Sequence, residues 1–350
     1  MAAFVAHGSV VERWLADLAV DQEVFVPQPH GQGSRRFLPL GGGAVPRIFT
    51  SYAPTLAPPT KHLLPAEELL FSFEVNSQGE VEIEPAAADA PRVLAGVRPC
   101  DLRAIYLLDR VFEEGIPEAN YARRRANTIL IAHACEKPCD DHCFCEAVGS
   151  LDWREGADIF LTEVDEDFVL IEAASSKGSD LTKNADFPLC DDASERLSRS
   201  RARRPKPFGR HFKRSLDGIA NLLGEAWKSP LWQKHVERCF SCGTCNLVCP
   251  TCYCFDTKDE TDLGGLSGRR SRTWDGCMLP NFAEVAGGHN FRADPADRQK
   301  HRVKRKFEYL SARHGEGHFC VGCGRCGRQC TSGIDIFDIV DDLLLLEARE

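Results

Sequence analysis

The 350-residue chain has no run of the roughly 18 to 20 apolar residues that a membrane-spanning helix needs, so bilayer insertion is not expected. Its first residues, MAAFVAHGSVVERWLADL, hold no uninterrupted signal-like core, because Glu12, Arg13 and Asp17 break it, and a cytoplasmic location is expected. A basic excess is missing too. The net charge of -9 argues against nucleic acid or an anionic membrane as the main partner, since both reward a positive surface. Nucleotide motifs are equally scarce: the Gly41 to Gly43 triplet is not expected to follow a strand and does not keep dinucleotide spacing, and no G-x-x-x-x-G-K-[ST] occurs. With no nickel-site or haem-attachment pattern either, the chain is expected to carry no catalytic centre of its own.

What the chain has in quantity is cysteine. The 17 cysteines are odd in number and crowded into short repeated spacings. In a long chain without a signal peptide, this points to thiolate ligation of metal and not to a disulfide framework.

At this length and 27% charged, the sequence reads as α+β: an α/β domain over 1–190, a basic linker over 191–214, and a mostly helical two-cluster ferredoxin-like domain with a long insertion over 215–350. Val93–Val97 is a buried-strand run, Leu102–Phe112 follows with helical apolar spacing, and Thr128–Ala132 is a second strand run. Such a crossover makes the two strands parallel, with Cys100 and Cys135 just past the same edge, where ligands gather in open sheets. The linker DDASERLSRSRARRPKPFGRHFKR and a second basic run, Arg298–Lys306, read as solvated charge. Leu216–Trp227, capped by Ser215, and Ile336–Glu347 are predicted helices, and the insertion between them is expected to be helical.

Cys239, Cys242, Cys245 and Cys249, followed by Pro250, form C-x2-C-x2-C-x3-C-P, and Cys320, Cys323, Cys326 and Cys330 repeat the spacing. Three thiolates so spaced wrap one face of a [4Fe-4S] cubane, and the fourth reaches the other cluster. Cluster 1 is therefore expected on Cys239, Cys242, Cys245 and Cys330, and cluster 2 on Cys320, Cys323, Cys326 and Cys249. Gly243, Gly322 and Gly324 are expected to let backbone amides approach the sulfides. Zinc is disfavoured, because it wants two C-x2-C pairs and not two identical quartets.

A second group, Cys100, Cys135, Cys139, Cys143 and Cys145, falls on loops that the crossover brings together. Three readings stand open: a third [4Fe-4S] cluster with Cys100, Cys135, Cys143 and Cys145 as its best four, zinc with His133 or His142, or inert thiols. Cys252, Cys254 and Cys277 read as buried thiols, Cys190 as isolated, and His289 in GGHNFR as structural.

The order GVRPCDLRAI, CFC, CPTCYCFD, RTWDGC, AGGHNFR and CVGCGRC resembles the beta subunit of sulfhydrogenases, which are NAD(P)-linked nickel-iron hydrogenases, and the A-type subunit of anaerobic sulfite reductases. The likeness runs from about residue 90 to the end and weakens between 150 and 230; Thr331 stands where the second motif often has proline. It implies an electron-transfer protein with two [4Fe-4S] clusters, relaying between a catalytic hydrogenase or sulfite reductase subunit on one side and a flavin/NAD(P)-binding reductase subunit on the other. Rival readings are a relay subunit of a formate, heterodisulfide or quinone linked complex, an autonomous enzyme with an open iron site, and a zinc-held interaction module.

Overall fold

Two short apolar runs organise the N-terminal half because their alternate side chains go to opposite, covered faces. Val93, Ala95 and Ile131 enter one core and Leu94, Leu130 and Ala132 another. Strands buried on both faces read as continuous apolar stretches, which is how they appear in the sequence. The computed structural model describes residues 2–49, 54–86 and 90–346.

The chain opens with β1 (Ala3–His7), helix α1 (Gly8–Asp21), β2 (Glu23–Pro29), β3 (Arg35–Pro39), β4 (Glu67–Val75) and β5 (Val81–Pro85). It continues through β6 (Arg92–Val97), α2 (Pro99–Glu113), α3 (Ala119–Ala126), β7 (Thr128–His133), β8 (Ile159–Asp165) and β9 (Phe168–Ala173). Helices α4 (Ser176–Thr182), α5 (Ala193–Arg203), α6 (Ile219–Glu225), α7 (Leu231–Val236) and α8 (Thr244–Leu247) precede a hairpin of β10 (Phe255–Thr261) and β11 (Ser267–Trp274). Last come α9 (Pro295–Lys304), a π-helical turn over Arg305–Tyr309, α10 (Leu310–His314), α11 (Arg325–Arg328) and α12 (Ile336–Leu344).

The main sheet has the order β1-β9-β8-β7-β6-β2-β3. Its four central strands, β2, β6, β7 and β8, are parallel, and antiparallel strands flank them. Val11 and Leu15 of α1 fill one face, while Leu102, Ile105 and Leu108 of α2 with Tyr121 of α3 fill the other. A helical core follows, in which Leu222, Trp232, Phe307, Ile339 and Leu343 pack together, with Phe144 of the N-terminal half among them. The architecture is thus α+β, and no helix among the described residues is long and apolar enough to cross a membrane.

Three local expectations change. The insertion between the cysteine motifs is not wholly helical: its hairpin β10–β11 joins β4–β5 in a second sheet, ordered β10-β11-β4-β5. Glu68, buried between Arg124 (2.6 Å) and Arg272 (2.5 Å), ties that sheet to the body. The Leu216–Trp227 helix begins later, at Ile219, because Ser215 spends its hydroxyl on the turn at Asp217. The terminal helix has Asp335 as its N-cap and is seen to Leu344; Glu347 lies outside the described residues.

Neither basic run is simply solvated. In the first, α5 lies along β8, with Arg196 on Asp165 (2.5 Å) and Arg203 on the Val164 carbonyl (2.7 Å). Beyond it Arg210 bonds Asp335 and Asp338, and Phe208 is buried. In the second, Arg298, Arg302, Lys304 and Lys306 are all buried.

Candidate metal centres

Past the C-terminal ends of β6 and β7, Cys100 sits at the start of α2 and Cys135 just after β7. With Cys139, Cys143 and Cys145 from the following loop, they line one cavity of 380 Å³. Its remaining wall includes Arg98, Asp101, Leu151, Phe208, Arg325 and Cys323. Neither His133 nor His142 lines it: His133 lies between Arg98 (3.0 Å) and Glu163 (3.1 Å), and His142 faces Asp335.

A second cavity of 370 Å³ is lined by Cys249, Cys320, Cys323 and Cys326, with Phe144, Ile336, Arg302 and Lys306. A third, of 450 Å³, is lined by Cys239, Cys242, Cys245 and Cys330, with Phe240, Met278 and Arg302. Cys330 therefore stands with the first motif and Cys249 with the second. The three cavities adjoin in series: the sheet-edge and middle cavities share Cys323, and the middle and outer cavities share Arg302.

The donor chemistry fits iron-sulfur cubanes. Four soft thiols surround the middle and outer spaces and six the sheet-edge one, Cys323 being shared, and the surface between them is largely apolar. A cubane attaches each thiolate to a different iron, so its ligands stand around a volume and do not converge on a point. Among the described residues no group of three or more His, Cys, Asp or Glu side chains converges to hold a single ion.

A 4Fe-4S dicluster domain matches residues 238–334. Sulfhydrogenase 2 subunit beta of Pyrococcus furiosus is 34% identical over 303 residues, covering 86% of each chain. The chain belongs to the sulfhydrogenase beta-subunit family. No solved structure matches it.

Within this beta-subunit homologue, the sheet-edge cavity and the middle one are built back to back. The Phe144 N–H donates to the Gly322 carbonyl at 2.8 Å. Gly322 (φ +66°) and Gly324 (φ +71°) are left-handed, and a Cβ on either would lie 2.5 Å from Phe144 O or 2.6 Å from His142 O. These glycines are thus required by the HCFC loop that presses on them, and not by the approach of amides to sulfide alone.

Charge around the thiols is arranged with equal economy. Arg325, 1% exposed, makes a bidentate pair with Asp101 at 2.5 and 2.7 Å, and its Nε donates to Thr55 O. Lys306 donates to Thr251 O (3.0 Å) and Oγ1 (2.6 Å). Burial disfavours the charge on Arg302 and Lys306, yet the sulfur groups of Cys245, Cys326, Cys249 and Cys252 around Arg302, and of Cys249 and Cys252 around Lys306, outweigh it and favour the cation at both. Burial pushes Cys245 and Cys323 up to about 12, whereas the Cys145 thiol, donating to Cys143, draws Cys143 down to about 6. Lowering a thiol in this way, as the Cys252 thiol also does for Cys249, favours the thiolate form that metals bind.

The remaining thiols lie outside these linings, though the Cys252 thiol donates to Cys249. Cys252, Cys254 and Cys277 line none of the three cavities; the Asn246 amide donates to Cys277 (3.4 Å) and Cys252 (3.7 Å). Cys190 lies near β1, its thiol on Asp192. His289 is exposed beside Phe291. The residues that sequence reasoning passes over are Arg302, Lys306, Arg325, Asp101 and Phe208. A signal exists for some of them: Arg298, Arg302 and Lys306 recur every four residues, which places them on one helix face.

Proposed function

We propose that the chain is the electron relay of a hydrogenase complex, holding three [4Fe-4S] clusters between a catalytic nickel-iron subunit on one side and a flavin/NAD(P)-binding reductase subunit on the other. The observation that carries this reading is the unbroken series of three thiol-lined cavities with shared walls. Cys239, Cys242, Cys245 and Cys330 are the holders in the outer cavity, and Cys249, Cys320, Cys323 and Cys326 in the middle one. Cys100, Cys135, Cys143 and Cys145 hold the sheet-edge group, with Cys139 as a fifth thiol on its wall. A bound cubane would supply one-electron exchange with little nuclear movement, so it can take electrons singly from a flavin that receives them in pairs.

The protein's own part is to fix spacing and exclude water. Phe208 and Leu151 close the sheet-edge cavity, Phe144 and Ile336 the middle one. The outer cavity is the open end, for Cys242 is exposed and Phe240 on its rim is 74% exposed, so a partner protein can approach there. Membership of the sulfhydrogenase beta-subunit family favours hydrogenase partners over a sulfite-reducing one. All 17 cysteines are free, in keeping with a reducing cytoplasm.

Iron and acid-labile sulfide, counted per chain after anaerobic purification, test the reading. About 12 of each is expected, and about 8 would remove the third cluster, by cubane stoichiometry. Cys100→Ser should lower the count by about 4. Colourless protein carrying zinc would overturn the whole assignment. For the partners, affinity purification from the native host should bring down flavin- and nickel-containing subunits.

A further inference from the structure

The sheet-edge and middle cavities can be compared directly, because they share Cys323 and both are closed by apolar side chains. Their fixed charges differ. On the sheet-edge wall stand Arg98 and Arg325 together with a carboxylate, Asp101, which forms two short bonds to Arg325 and cancels its charge. On the middle wall stand Arg302 and Lys306, and among the described residues lining that cavity there is no carboxylate; buried Asp335 acts on Cys326 from outside the lining and is itself paired with Arg210 at 3.2 Å. Lys306 is held by the neutral oxygens of Thr251, and Arg302 acts on the sulfurs of Cys326 and Cys245. The two cations are 4% and 5% exposed, so water and salt screen them little.

Reduction of a thiolate-bound cubane adds one negative charge; no bond forms or breaks and no proton is needed. Fixed positive charge nearby makes that addition easier, and net local charge is one of the factors that set cluster potential. Resting on the reading that these cavities hold clusters, we propose that Arg302 and Lys306 raise the reduction potential at the middle cavity above that at the sheet-edge cavity. An electron arriving at the sheet edge then runs downhill into the C-terminal pair. Lys306 acts on the middle site alone, whereas Arg302, on the wall of two cavities, also raises the outer one.

The experiment is an EPR-monitored titration of the full chain with dithionite as reductant, the middle signal being the one altered by Cys320→Ser and the sheet-edge signal the one altered by Cys100→Ser. In the wild-type protein the middle signal must appear first; if the sheet-edge signal appears first, the proposal is overturned without any charge variant. Lys306→Gln and Arg302→Gln should each make the middle site at least roughly tenfold harder to reduce, a shift of about 59 mV for one electron. Lys306→Arg and Arg302→Lys should keep it within about threefold of wild type, a shift of under roughly 30 mV. Neutral variants with wild-type iron content and an unmoved midpoint, or charge-conserving variants that shift as far as the neutral ones, overturn it. Failure of the cluster reading itself looks different: wild-type protein then has no signal sensitive to Cys320→Ser or to Cys100→Ser.

Discussion

The sheet-edge cavity and the C-terminal pair hold the same kind of donor, yet they are specified in different ways. In the C-terminal pair three thiols of each cavity come from a single short motif, so local spacing alone gathers them, and one crossed cysteine completes the set. The sheet-edge cavity takes Cys100 from the start of α2, Cys135 from the end of β7 and the rest from a loop, so it exists only once the parallel sheet has formed. Damage to the main sheet should therefore empty the first and spare the second, while damage to a motif should do the reverse.

The largest effect expected is that of Cys320→Ser. On the proposed ligand set it removes a holder of the middle cluster, so iron per chain should fall by about 4 from about 12 while electron transfer through the complex stops. If the sheet-edge signal vanished with it, the two regions would not be separable. Next is Arg325→Met, which leaves Asp101 buried without its partner and should cost about 3 to 5 kcal/mol in anaerobic denaturant unfolding. The double variant Arg325→Met with Asp101→Leu should recover most of that loss. Phe208→Ala opens the sheet-edge wall only and should cost roughly 3 kcal/mol, with iron lost selectively from that site.

Acid sensitivity sharpens the contrast further. Burial, helped by the charge of Arg92, lowers His62 from 6.5 to about 4. The unfolded chain thus binds a proton that the folded one refuses, so this stabilisation is complete above pH 6.5 and falls as pH drops toward 4. The loss is at most about 3 kcal/mol, and His62→Gln should flatten the unfolding free energy over that window. The smallest effect belongs to the C-terminal half: Asp294→Ala removes the cap of α9, where Asp294 accepts from the Ala296 N–H at 2.7 Å, at a cost of about 1 kcal/mol with iron content unchanged.

Much of the fold and of the site is legible in the residues themselves. Continuous apolar runs make β6 and β7 readable from Val93–Val97 and Thr128–Ala132, and the crossover between them places Cys100 and Cys135 on one edge. The basic runs read wrongly as solvated because composition cannot tell a lysine facing water from one facing thiolates; Lys306 is kept inside by Cys249 and Cys252, which come from another segment. The hairpin β10–β11 escapes for a related reason. Its strands are polar, and β10 is exposed along its whole length, so β11 owes its form to pairing with β4, and β10 to pairing with β11, and not to any apolar period of their own.

By itself, the sequence determined the two cysteine quartets, the α+β class and the family, because ligand spacing and apolar period are local properties of a chain. Only the tertiary structure decided that five scattered thiols share one cavity, that three cavities stand in line, and that Arg302 lies between two of them. Those outcomes depend on which distant segments meet, and charge and distance across such meetings are not written in the order of residues.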